Sequence, residues 1–158
     1  MHKIEVGYKH GITDAEGNSR LAEIRNFLGI DAKGVVTRKI YILDADLSTE
    51  EIRYAAETLF HDPIIQVVQS QGSLPNGNFD YSILVSFKPG VTDNEGKTAK
   101  ENLEMILGRQ LAGGVSTARQ FLLSGINGEQ ANTIAKGLLA NEVIQDATIQ
   151  DYSGLTAN

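Results

Sequence analysis

The stretch KPGVTDNEG, Lys88 to Gly96, has a near-copy in KHGITDAEG, Lys9 to Gly17, 79 positions earlier (88 − 9). Sliding the chain by 79 aligns residues 1–69 with 80–148 without a gap and gives 18 identities. Unrelated sequences of ordinary composition would share roughly 4. The identities cluster around the loop: Ile4/Ile83, Val6/Val85, Lys9/Lys88, Gly11/Gly90, Thr13/Thr92, Asp14/Asp93, Glu16/Glu95 and Gly17/Gly96. They continue at Leu28-Gly29/Leu107-Gly108, Gly34/Gly113, Val36/Val115, Glu50/Glu129, Leu59/Leu138 and Ile65-Gln66/Ile144-Gln145. Between the copies lies SQGSLPNGN, Ser70 to Asn78, with the Gly, Asn, Ser and Pro content of a linker. The sequence therefore reads as two units, 1–69 and 80–150, joined by a linker at 70–79. The polar residues 151–158 read as a tail or the start of a second linker.

Each copy carries the same series of signals. KIEVGYK and YSILVSFK alternate as strands do. After the loop, Leu21, Ile24, Phe27 and Leu28 fall at helical spacing, as do Leu103, Ile106 and Leu107. Gly29 and Gly108 sit where a left-handed residue ends a helix. GVVTRKIYIL and GGVSTARQFLL are second strands. LSTEEIRYAAETLF is a second helix with Ser48 as N-cap and Glu51 completing a capping box. Its counterpart, INGEQANTIAKGLLA, starts at Asn127. PIIQVVQ and VIQDATIQD close the copies as third strands. The expected fold is α+β: two tandem β-α-β-α-β units related by a pseudo-two-fold axis, their sheet covered by helices.

The duplicated loop has two readings. Structurally, Gly11 and Gly90 allow a left-handed exit from the strand. Thr13 or Asp14, and their counterparts, can cap the following helix, and Gly17 and Gly96 permit close approach at its start. Functionally, the same loop could hold an anion at a helix N-terminus. Its own Asp and Glu repel phosphate, and it lacks the Gly-Lys-Ser/Thr of a phosphate cradle. The structural reading is the stronger, so Lys9, Gly11, Asp14, Gly17, Lys88, Gly90, Asp93 and Gly96 are assigned as a fold-defining motif.

Composition narrows the function classes. A hydrophobic share of 41% and a charged share of 22% are those of a globular protein. The net charge of −6 argues against nucleic acid as a main partner. No apolar run reaches the roughly 20 residues of a membrane span, and MHKIEVGYKHG is no secretory signal. A cytoplasmic setting is expected. The absence of cysteine removes disulfides, thiolate nucleophiles and cysteine metal sites. His2, His10 and His61 share no ligand spacing, and no Ser-His-Asp set can be assembled. The acidic turn at Ser48 to Glu51 complements the helix dipole. Arg38, Lys39 and Arg119 lie on second strands, where solvated faces are the ordinary outcome. No catalytic, cofactor or metal residue is assigned.

FKPGVTDNEGKTAKENLEMILG, together with LLANEVIQD, resembles the PurS family, the small subunit of formylglycinamide ribonucleotide amidotransferase. The resemblance rests on Lys88, Pro89, Gly90, Val91, Asp93, Gly96, Leu107 and Gly108, and on Leu138 to Asn141 with Val143 and Ile144. The first copy resembles it more loosely, with His10 in place of the proline and LFHDPIIQ in place of the asparagine run. Two copies in tandem resemble the fused N-terminal region of the large single-chain enzyme, PurL, which imitates a dimer of the small subunit. The resemblance implies a part in phosphoribosylformylglycinamidine synthase and purine biosynthesis. That enzyme uses ATP, Mg²⁺ and glutamine-derived ammonia to amidate formylglycinamide ribonucleotide. Without a cysteine for a glutaminase or a phosphate cradle for ATP, this chain is expected to be a non-catalytic scaffold with no cofactor of its own. The implied partners are the synthetase and glutaminase parts of the enzyme, with no nucleic acid and no membrane. The alternative is a stand-alone regulatory module with paired α+β units that binds a metabolite. What the reading frame encodes after Asn158 would discriminate the two.

Overall fold

A computed structural model of the chain describes residues 1–72, 74 and 77–153. Ser73, Pro75 and Asn76 of the expected linker, and 154–158 of the expected tail, lie outside the described residues. The elements are β1 (His2–Tyr8), α1 (Ala15–Phe27), β2 (Gly34–Ala45), α2 (Thr49–Thr58) and β3 (Gln66–Gln69), then β4 (Tyr81–Phe87), α3 (Asn94–Leu107), β5 (Gly113–Ser124), α4 (Gly128–Ile134) and β6 (Gln145–Asp151). The strands form a six-stranded antiparallel sheet in the order β3-β1-β2-β5-β4-β6. The α+β class read from the sequence is the observed one.

Local chemistry explains where the elements begin and end. Ser48 and Glu51 form the expected capping box of α2, and Asn127 and Gln130 form one for α4. Gly108 closes α3 in the left-handed region at φ 70°. Both third strands are shorter than their sequences suggest. In the first, Asp62 turns the chain: its Oδ1 accepts the Ile64 N–H at 2.9 Å and its carbonyl accepts that of Gln66 at 2.8 Å. Asn141 repeats this with the Val143 N–H at 3.1 Å and the Gln145 N–H at 2.7 Å. Pairing therefore starts only at Gln66 and Gln145. The single helix expected up to Ala140 instead changes to a π-helical turn over Ala135–Leu139, where the Ala140 N–H reaches the Ala135 carbonyl at 2.9 Å.

The chain divides into two compact units, neither of them continuous in sequence. Unit 1 comprises Met1–Ile12, Lys39–Leu74 and Thr92–Ala118. Its core gathers Ile4 and Val6 of β1, Leu43 of β2 and Ile52 and Ala55 of α2, with Leu103 of α3 and Val115 of β5. Unit 2 comprises Thr13–Arg38, Pro75–Val91 and Arg119–Asn158. Its core gathers Ile24 of α1, Val35 of β2, Ile83 and Val85 of β4, Phe121 and Leu123 of β5, and Ile134 of α4. Ile24, Ile52, Leu103 and Ile134 are fully enclosed, and burying each such side chain stabilises by roughly 1.5–3 kcal/mol. Each core thus draws on both sequence repeats. No described helix is long and apolar enough to cross a membrane.

One expectation is corrected by register. The gapless shift of 79 pairs Val36 with Val115, yet Val36 is 48% exposed and Val115 only 9%. The bonded geometry pairs Val35 with Val115 and Thr37 with Thr117, a shift of 80 along the second strands. A one-residue slip exchanges the two faces of a strand, so the burial pattern settles the alignment that identities alone left wrong.

Candidate functional site

The two loops are built from the same contacts. In the first, the Lys9 N–H donates to the Ile65 carbonyl at 2.9 Å and the Ile12 N–H turns back to the Lys9 carbonyl at 3.0 Å. Gly11 takes φ 84°, a conformation that favours glycine. In the second, the Lys88 N–H donates to the Ile144 carbonyl at 2.9 Å, and Gly90 takes φ 87°. The strand exit is thereby fixed to the residue just ahead of the third strand of the same repeat.

Asp14 and Asp93 then do two things at once. Asp14 Oδ1 accepts the Gly17 N–H at 2.8 Å, which caps α1. Its Oδ2 accepts the Thr37 backbone N–H at 2.6 Å, and the Thr37 hydroxyl donates to Oδ1 at 2.8 Å. Asp93 accepts the Gly96 N–H at 2.9 Å, the Thr117 N–H at 2.6 Å and the Thr117 hydroxyl at 3.0 Å. Each carboxylate is a latch between the first turn of a helix and the strand beneath it. Thr37 and Thr117 are buried, 4% and 8% exposed, so the latch satisfies backbone N–H groups that water does not reach. A Cβ on Gly17 would lie 2.5 Å from the Val35 carbonyl oxygen, and one on Gly96 would be closer still to that of Val115. The glycines let the helix N-terminus settle onto the strand. Of the cap candidates, aspartate is the one used, while the partner threonines lie 23 and 24 residues on and carry no local signal.

The remaining candidates do not converge. Lys9 is exposed, and Lys88 Nζ lies 3.7 Å from Asp146. Arg38, expected on a solvated face, is buried. Lys39 forms an ion pair with Glu95, and Arg119 Nη1 lies 3.8 Å from Glu16. His61 Nδ1 is 2.8 Å from the Ala56 carbonyl oxygen. Among the described residues, no three His, Asp or Glu side chains are grouped to hold a metal ion. Glu51, read as half of a capping box, also receives the Arg109 guanidinium at 2.9 Å, a partner 58 residues away. The Arg109 hydrogen bond, with the Ser48 N–H, holds the Glu51 carboxyl below its ordinary value. The same bond holds the Arg109 guanidinium above its own.

What these contacts define is an α+β sheet protein whose repeated aspartate–threonine contacts position backbone. Residues 80–152 match the model of the PurS family, phosphoribosylformylglycinamidine (FGAM) synthase. The match runs from β4 through β6 and includes the Asp93 latch. Over that segment the match supports a PurS-like family. The search of curated proteins finds no match.

Proposed function

We propose that the chain is a tandem PurS-like scaffold of phosphoribosylformylglycinamidine synthase, joining the synthetase and glutaminase parts without doing chemistry itself. The observation that carries this reading is the repeated latch. The half that matches the family holds Asp93 against Gly96 and Thr117, and the half outside the match holds Asp14 against Gly17 and Thr37 with the same atoms. Two PurS-like repeats, 1–69 and 80–150, account for that recurrence. The loop residues Lys9, Gly11, Asp14, Gly17, Lys88, Gly90, Asp93 and Gly96 then serve the fold. ATP and Mg²⁺ belong to the synthetase part, and the setting is the cytoplasm.

The test is reconstitution. FGAM synthesis is measured with the synthetase and glutaminase parts, with and without this chain, using glutamine or ammonia as nitrogen donor. The chain should restore glutamine-dependent synthesis, leave ammonia-dependent synthesis nearly unchanged, and hydrolyse neither glutamine nor ATP alone. Synthesis indifferent to the chain, or hydrolysis abolished by a point change within it, overturns the proposal.

A further inference from the structure

Unit 1 contains a recess of about 340 Å³ beside α3, within the range of roughly 300–1,000 Å³ typical of small-molecule sites. Its floor is aromatic: Tyr41 stacks on Phe60 with ring centroids 4.4 Å apart and an interplanar angle of 22°. Lys39 Nζ lies 5.0 Å from the Tyr41 ring centroid and is paired with Glu95. The wall is the face of α3 that presents Asn94, Thr98 and Asn102, four residues apart. Asparagine and threonine are poorer helix formers than the Lys, Glu or Ala usual on an exposed helix. Hydrogen bonds among the described residues leave those three side chains unoccupied.

Unit 2 carries the same framework with different residues at these positions. Counting from the capping aspartates, Ala99 and Asn102 of α3 correspond to Arg20 and Glu23 of α1, which form an ion pair at 3.0 Å. Tyr41 corresponds to Phe121 in the register set by the latches, and Phe121 is only 3% exposed. The lining therefore differs from its counterpart just where a bound molecule would need room and polar contacts.

We infer that the recess beside Tyr41 binds an uncharged, planar heteroaromatic ring of about nucleobase size. Phe60 covers one face of Tyr41 and the Lys39 ammonium stands over its ring, so a flat ring lies against the outer side of that ammonium, which favours an electron-rich π face. The two carboxamides and the threonine hydroxyl offer both donors and acceptors to amide-like ring edges. Since Glu95 already neutralises Lys39, no charge on the ligand is called for. This site is independent of the scaffold role.

The test is titration of the isotopically labelled 158-residue chain with hypoxanthine and with adenosine, followed by amide NMR shifts. Inositol serves as a non-planar polar control. Saturable shifts confined to the surroundings of Tyr41, Thr98 and Asn102 are expected with the two purines and not with inositol. The double variant Thr98→Arg/Asn102→Glu, at two exposed positions of the recess wall, places an ion pair across it. It should weaken binding at least about tenfold while leaving the melting temperature nearly unchanged. Should that variant misfold, Thr98→Phe, at an exposed position on the recess wall, occludes the same space. Shifts that fail to saturate at millimolar ligand, that map elsewhere, that inositol reproduces, or that a folded filling variant leaves intact overturn the inference.

Discussion

The Asp93 latch of unit 1 and the Asp14 latch of unit 2 use the same atoms over different lengths of chain. Carboxylate and threonine are 24 residues apart in the first and 23 in the second. The additional residue falls where Gly113-Gly114 stands in place of a single Gly34. Gly113 has φ 90°, and a Cβ there would collide with the Asp44 carbonyl, whereas Gly114 stands in open space. A glycine pair can absorb an extra residue ahead of a strand with little steric cost. By Val115 the alternation of faces is restored, so Val35 and Val115 are both buried. What the two units have in common is the bonded anchor, and the loop lengths around it have been free to drift.

Four kinds of change would break or sharpen this comparison. Deleting Ser116 should have the largest effect, because it lies beyond the glycine pair, between Val115 and Thr117, so those two can no longer both face inward. The expected loss exceeds about 4 kcal/mol in urea unfolding, and a small loss would show that the latch tolerates slippage. Next come Gly96→Ala and Gly17→Ala, whose new methyl groups press on the Val115 and Val35 carbonyls. Each should lose about 3 kcal/mol, with Gly96→Ala the worse because its approach is tighter. Equal melting of both variants and wild type would refute the close-approach argument.

Asp93→Ala and Asp14→Ala should each lose roughly 2–3 kcal/mol. That is more than the loss of an ordinary N-cap, because a buried threonine N–H is orphaned as well. The two variants should melt alike, and a marked difference would show that the latches are unequal. The smallest effect concerns acid. The Glu51 carboxyl is held below 4.5 by Arg109 first and the Ser48 N–H second. Its stabilising pairing is therefore fully present above 4.5 and is lost as pH falls through the depressed value. Unit 2 has Gln130 at the corresponding cap, a side chain that does not titrate. Glu51→Gln should accordingly flatten part of the acid limb of a stability-versus-pH curve, and an unchanged limb would place the acid sensitivity elsewhere.

Much of the fold was legible in local signals. Ser48 with Glu51, Asn127 and Gly108 mark helix ends through groups within a few residues, and alternation marks the strands. Register along the second strands was not, although between positions 34 and 43 a shift of 80 preserves Gly34, Val35, Thr37 and Leu43 as identities. A single global shift averages that signal away. The third strands start later than their apolar residues suggest because Asp62 and Asn141 bind the backbone just downstream. The latch was half legible: Asp14 and Asp93 announce a cap, but the Thr37 and Thr117 contacts are tertiary. The recess around Tyr41 carried no motif at all, since its lining comes from β2, α3 and the end of α2.

The interleaved cores bear on how the chain comes off the ribosome. Ile24 shares its core with Ile134, and Ile4 shares its core with Leu103 and Val115. When the first repeat has been synthesised, neither core has all its members, and apolar faces of β1 and α1 must wait for residues still to be added. Such long-range closure makes for slow folding and a window of exposure to aggregation. A chain severed within the linker would leave two fragments that each need the other to bury their cores. Mixing those fragments should therefore recover structure at a rate that rises with their concentration.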